Sequence, residues 1–260
     1  MSLACLDGVV VPVEQAVVPA TDEGLLRGDG VFEVTRLYGG RPHALDAHLD
    51  RMRRSAENLR LPADIDALAD DVHRLLAAAD PGDAAVRMLV TRGGHRIVLI
   101  EPLPELPPTL ALTAITYSPT RVLDQIKSLS YAANRLCSRL AQERGFDEAL
   151  MVTPHGVVLE APTSSFFWVA DGELRTPPLD DHLLDSITRR AIMACMDVRE
   201  VHTTLEALRG AQEAFLASSV REVVPVHRID DLELPAPGPV TLATEERVVA
   251  HVAAELAAAG

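Results

Sequence analysis

Apolar and polar positions alternate, then fall at helical spacing, then alternate again along the first half of the chain. Residues 7 to 19 read as a hairpin around Asp7-Gly8 with VVPVEQAVVPA, and TDEGLLRGDG follows as a turn-rich connection. VFEVTRLY has the period of a strand and ends at the turn GGRP. Leu45, Leu49, Met52, Ala56 and Leu59 then recur at helical spacing, which predicts a helix from about Leu45 to Leu59 with its arginines on the opposite side. A second helix is expected over Ile65 to Ala79, stopped by DPGD. AVRMLVTR, HRIVLIE and TLALTAITY are strand candidates.

The second half repeats the mixture in a different order. SPTRVLDQ reads as a linker, and a helix runs from shortly after Lys127 to about Arg144, closed by Gly145. ALMVTP and VVLEA pair as a hairpin through a His-Gly turn, and SFFWVADGELRTPP forms another with its turn at Asp-Gly. DSITRRAIMACM is a helix, AFLASS and EVVPVHRID are strands, and ATEERVVAHVAAELAAAG is a closing amphipathic helix. The expected fold class is α+β in two subdomains, residues 1–120 and 121–260, with Lys127 in the second.

At 260 residues with 48% hydrophobic positions, the chain has enough apolar side chains for a sizeable core. A formal charge of −14 argues against a nucleic-acid or anionic-membrane surface, although local arginines can still build an anion pocket. No run of 18 uncharged apolar residues appears, and MSLACLDGVV lacks the basic start of a signal peptide, so cytoplasmic residence is the expectation. Cys5, Cys137 and Cys195 form no CxxC pair, and the histidines show no HxxxH or HExxH spacing. No disulfide framework and no metal site is expected.

Against this background one residue stands out. The chain carries 24 Lys plus Arg, and Lys127 is the only lysine among them. A guanidinium stays protonated, whereas an amine can lose its proton and attack a carbonyl, the first step toward a Schiff base. Glu160 ends the apolar run GVVLE, where a carboxylate needs a partner unless it faces solvent. Asp185 or Ser186 can cap the helix that begins in DSITRR, whose first amides, those of Ile187 and Thr188, suit a phosphate, and an ordinary capped helix has the same pattern. The ASSV cluster at 217–220 fits a phosphate cup or a simple turn.

The order of these segments is more specific than any one of them. IKSLSYAANRL, GFDEALMV, GVVLEAPTSSFFWV, GELRTPPL, LLDSITRRAI and FLASSVREVVPV resemble the fold-type IV pyridoxal phosphate (PLP) enzymes, and so does RGDGVFEVTRLYGGRPHALDAHLDRMRRSAENLRL. That group includes branched-chain and D-amino acid aminotransferases and 4-amino-4-deoxychorismate lyase. The resemblance runs from about residue 7 to 230 and is weakest over 60 to 120. It implies that Lys127 forms the internal aldimine and that Glu160 holds the pyridine nitrogen protonated. Arg51 would bind the cofactor phosphate, with Ile187, Thr188, Ser219 and Val220 completing its cup. Tyr131 would lie near the cofactor hydroxyl. Two positions depart from the family pattern: Ser165 stands where Asn is usual, and Ser186 where Gly is usual.

The resemblance further implies a small amino-acid-type substrate and a homodimer. Compact length and KSLSYAAN favour the lyase, which releases pyruvate and 4-aminobenzoate, with an aminotransferase as the alternative. Arg92 is the first candidate for a substrate carboxylate, with Arg27 and Arg36 behind it; a structural arginine is an equal alternative for each. A non-catalytic homologue with a binding role is the remote alternative, and the intact set of Lys127, Glu160 and Arg51 counts against it.

Overall fold

Asp7 and Gly8 both take positive φ, 50° and 89°, and fold Leu3–Leu6 (β1) back onto Val9–Pro12 (β2). Two left-handed residues in a row match the twist of the flanking strands, so this turn fixes the register. The computed structural model describes residues 2–258. Its chain forms two compact units.

In the first unit a short helix, Glu23–Arg27 (α1), occupies the stretch expected to be only turns. The Asp22 side chain accepts from the Gly24 amide, and Gly28 closes the helix at φ 68°. Then come Gly30–Tyr38 (β3), Arg41–Pro42 (β4), the helices Leu45–Asn58 (α2) and Ile65–Ala79 (α3), and the strands Ala84–Thr91 (β5) and Arg96–Glu101 (β6). The strands form an antiparallel sheet in the order β2-β1-β6-β5-β3-β4. Alternation sends Val31 and Leu37 of β3, Val86, Met88 and Val90 of β5 and Val98 of β6 into one core with Met52, Leu68, Val72 and Leu75 of the helices. Each such side chain contributes about 1.5–3 kcal/mol when fully buried, more than strand propensity offers.

Two expectations need correction in this unit. The arginines of α2 do not all lie opposite its apolar stripe, because Arg51 is buried with His48 and Ser55. The boundary also differs from residue 120: the first unit ends at Pro104, and Gln125–Tyr131, including Lys127, belongs to it. Backbone pairing is the cause. Phe32 N–H donates to the Lys127 carbonyl at 3.0 Å, Leu129 N–H to the Gly30 carbonyl at 2.9 Å, and Val31 bridges Ser128. This segment completes the free edge of β3, a tertiary event that has no periodicity to betray it.

The second unit holds Leu110–Thr116 (β7), Ala132–Glu143 (α4), Glu148–Val152 (β8), Ser165–Ala170 (β9), Glu173–Thr176 (β10) and Ile187–Cys195 (α5). It continues with Val198–Glu200 (β11), Glu213–Ser218 (β12), Glu222–Ile229 (β13), Leu232–Glu233 (β14) and Pro239–Ala258 (α6). Its sheet runs β11-β10-β9-β12-β13-β7-β8, with β14 on β13 and with β10-β11, β13-β7 and β7-β8 parallel. One face buries Phe166 and Trp168, stacked at 5.8 Å, with Leu112, Leu150, Leu216 and Val226. Phe167 and Phe215 stack at 4.9 Å.

The expected hairpin of ALMVTP with VVLEA is only partly regular. Met151 N–H donates to the Glu160 carbonyl, Leu159 N–H to the Met151 carbonyl and Thr153 N–H to the Val157 carbonyl, but the pairing amounts to an isolated Val152–Val158 bridge and the second arm forms no strand. The last helix starts at Pro239, ahead of the expected Ala243. No helix among the described residues is long and apolar enough to cross a membrane.

Candidate active site

The Lys127 backbone is fixed on two sides. Its carbonyl accepts from Phe32, and its amide donates to the buried Ser55 hydroxyl at 3.2 Å. The side chain is half-buried, and its Nζ lies 4.6 Å from the centroid of the Phe32 ring. Tyr131 meets that ring edge-on at 5.2 Å, and the Arg87 guanidinium approaches it at 5.8 Å. The lone amine of the chain therefore sits in an aromatic corner on a pinned backbone, a placement that limits its reach to one small region.

Beneath the same strand lies a fully buried carboxylate. Glu33 accepts from Arg51 Nε at 2.6 Å and Nη2 at 2.7 Å, and its Oε2 lies 2.8 Å from His48 Nδ1. Burial alone would raise the Glu33 carboxyl; the Arg51 charge and the hydrogen bonds from Arg51 and His48 overcome it and hold the group at about 2. Burial pushes His48 below its ordinary value even with Glu33 beside it. The imidazole is then neutral, and Nδ1–H donates to the carboxylate, which can only accept. Helical spacing puts His48, Arg51 and Ser55 on one face of α2. The sequence did carry a signal for Glu33: in VFEVTRLY it shares the core-facing positions with Val31, Thr35 and Leu37, where a carboxylate demands a partner.

In the second unit, Ser186 caps α5 by accepting from the Arg189 amide. Ile187 and Thr188 occupy the first turn, whose amides have no acceptor within a helix. The Thr188 hydroxyl lies 3.4 Å from the Ser219 hydroxyl, so the two predicted cup segments do converge. The loop bearing Ser219 and Val220 is braced from both sides. The Arg221 amide donates to the Ser218 hydroxyl at 3.3 Å, and Arg221 Nη2 to the buried Glu148 at 3.1 Å. Glu160 is half-buried and lies close enough to Tyr117 for its charge, after burial and Cys137, to help raise that phenol. Ser165 is buried at the position where Asn is usual in the resembled group, and its hydroxyl has no partner among the described residues.

The three substrate arginines fare differently. Arg27 is exposed and pairs with Glu23 one turn back. Arg92 forms a two-pronged pair with Asp29, at 2.9 and 3.1 Å, and also donates to the carbonyls of Leu59 and Arg60. That is a structural clamp on the turn after α2. Arg36 stacks on Tyr38, 4.8 Å from its centroid, and alternation puts it on the same face of β3 as Phe32. Among the described residues one group, Asp180, Asp181 and His202, has metal-ligand proximity, but Asp180 and His202 lie at the surface and the three form ordinary carboxylate–imidazole pairs.

A cofactor with one aldehyde, one basic ring nitrogen and one phosphate calls for an amine, a carboxylate and a cluster of N–H and hydroxyl donors. Lys127, Glu160, and the Thr188–Ser219 pair at the start of α5 are groups of those kinds, so the residues present fit PLP.

Comparison with known proteins bears on the same region. A family model described as Amino-transferase class IV matches residues 30–229. A putative branched-chain-amino-acid aminotransferase of Methanocaldococcus jannaschii is 34% identical, covering 86% of this chain and 87% of that protein. A D-alanine aminotransferase of Listeria monocytogenes is 31% identical over 94% and 93% of the two chains. An aminodeoxychorismate lyase of Bacillus subtilis is 27% identical over 87% and 86%. Among solved structures, the branched-chain aminotransferase of Thermoproteus uzoniensis with norvaline superposes with a TM-score of 0.91 at 26% identity, over 98% of this chain and 96% of that one. A hypothetical aminotransferase from Mycobacterium tuberculosis in its PLP-bound form gives 0.87 at 25% identity, over 97% and 99%.

Proposed function

Because the chain belongs to the class IV aminotransferase family, we propose that it is a PLP-dependent enzyme in which Lys127 removes the Cα proton of a small amino substrate. The observation that carries this reading is the chain's single lysine, pinned through its backbone to β3 and α2 with its amine at the Phe32 ring. Bound PLP supplies an aldehyde for that amine and a ring that accepts electron density from the substrate Cα. With PLP bound, the Lys127 amine would serve as the general base toward the substrate Cα proton, and its fixed backbone would confine that transfer to one side of the substrate. Glu160 holds a proton on the ring nitrogen by offering it a paired negative charge. Thr188, Ser219 and the first-turn amides of Ile187 and Thr188 bind the phosphate together with Arg51, and Val220 extends the cup through its amide. Tyr131 donates toward the cofactor hydroxyl. Arg36 is the substrate-carboxylate arginine, since it lies on the Phe32 face of β3 and Arg92 is engaged with Asp29.

Of the two reactions, transamination is the better supported, because the relatives of 34% and 31% identity are both named as aminotransferases. The lyase is the second reading, favoured by the KSLSYAAN segment and by the Bacillus subtilis relative. Borohydride treatment of the PLP-loaded protein should fix the cofactor on the peptide carrying Lys127, and Lys127→Arg should abolish both labelling and visible colour. A wild-type protein that stays colourless with PLP ends the proposal. Amino transfer from D- and L-amino acids to 2-oxoglutarate is then compared with release of pyruvate and 4-aminobenzoate from aminodeoxychorismate. Light scattering checks the expected homodimer.

A further inference from the structure

Arg51 is assigned to a phosphate dianion, yet its guanidinium lies buried against a carboxylate. Two opposing effects follow from Glu33. Its charge offsets that of Arg51 and weakens the attraction for an anion, while its two acceptor oxygens hold the guanidinium plane in one orientation. The geometry favours orientation as the stronger effect. Nε and Nη2 donate to separate oxygens of Glu33, the fork arrangement that fixes both the plane and the rotation of a guanidinium. The carboxylate is itself fixed, since His48 Nδ1 lies 2.8 Å from Oε2 and Glu33 has no exposure to water. A guanidinium released from this fork would have many rotamers, few of which aim donors at a fixed anion.

We propose that Glu33 is a positioning residue for phosphate recognition, holding the Arg51 guanidinium in its binding orientation while His48 locks the carboxylate from the other side. This rests on the reading above that Arg51 meets the cofactor phosphate. In this role Glu33 acts through Arg51, so its effect is expected on ligands that carry the phosphate.

That expectation gives a test independent of turnover. Apo-protein is titrated with PLP and, separately, with pyridoxal, which has the aldehyde and ring but no phosphate; the visible absorbance gained on binding reports affinity. Wild-type protein is expected to prefer PLP. Glu33→Gln is expected to weaken PLP binding by roughly 10- to 100-fold, the loss typical when a carboxylate that orients a binding side chain is removed, and to leave pyridoxal binding unchanged. A preference for PLP equal to wild type overturns the inference. So does tighter PLP binding, which would make charge offset the main effect of Glu33, and so does an equal loss for both ligands, which would mark a general structural role. If the glutamine variant lacks a cooperative melting transition, Glu33→Asp carries the same comparison, since it keeps the charge and shortens the arm by one methylene. Wild-type protein that binds neither ligand sinks the PLP reading itself, and wild-type protein that binds both equally sinks the phosphate role of Arg51. The inference about Glu33 alone fails only where wild-type preference is strong and the variant retains it.

Discussion

The buried Glu33–His48–Arg51 group sets a specific response to acid. Glu33 is held at about 2, below an ordinary value of 4.5, so the unfolded chain binds the proton more readily than the folded one. Its contribution to stability, on the order of 3 kcal/mol, is present above pH 4.5 and lost as pH falls toward 2. His48 is also depressed, from an ordinary 6.5, so its loss runs in the same direction but begins earlier, as pH drops below 6.5. Urea midpoints measured from pH 7 to 3 should therefore fall in two stages. His48→Gln should flatten the first and Glu33→Gln the second. Arg92 invites the opposite kind of test. Its bonds to Asp29 and to the carbonyls of Leu59 and Arg60 hold a turn in which Arg60 takes φ 54°. Arg92→Ala should cost about 1–2 kcal/mol of stability and leave the KM for the amino substrate unchanged. A large rise in KM would restore Arg92 as the carboxylate ligand.

Elements differ in how far the sequence disclosed them. The helices α2 and α3 were legible because apolar residues repeat at helical spacing and DPGD stops the second. The β9–β10 hairpin was legible because Asp171-Gly172 can take the two positive φ values, 55° and 75°, of its turn. The segments bearing Lys127, Glu160, Thr188 and Ser219 stand out in the sequence as a motif in order, and of these the Thr188 and Ser219 hydroxyls lie together at 3.4 Å. The pairing of Lys127 with the edge of β3 was not, because a long-range partner leaves no local pattern. The start of α6 was hidden for the same reason. Its N-terminus is capped from afar: the buried Glu213 at the head of β12 accepts from the amides of Val240 and Thr241 and from the Thr241 hydroxyl. Pro239 fits the first helical turn, where no amide bond is needed. Glu213→Ala should leave these donors unsatisfied and cost about 2–3 kcal/mol, measured by denaturant unfolding. Gly238→Ala should be nearly as harmful, since a Cβ there would meet the Glu213 side chain at 2.2 Å. An alanine variant as stable as wild type would remove Glu213 from this role.

At the scale of the whole molecule, binding of the proposed cofactor becomes a question of stability. A ligand that binds only the folded chain stabilises it by mass action, about 2.7 kcal/mol at a concentration 100 times its Kd. PLP added to apo-protein should accordingly raise the thermal midpoint, and the size of the rise separates the contributions. Lys127→Ala removes the covalent attachment and should abolish most of the gain, leaving a small residue from phosphate binding. Thr188→Ala and Ser186→Ala act at the other end of the ligand. The first deletes a hydroxyl of the cup, and the second deletes the cap of α5, at a cost of about 1 kcal/mol to the apo-protein. Both should shrink the PLP-induced rise while leaving the rise with pyridoxal as it is in wild type. Equal shrinkage with both ligands would mean that the start of α5 supports the fold and has no part in holding the phosphate.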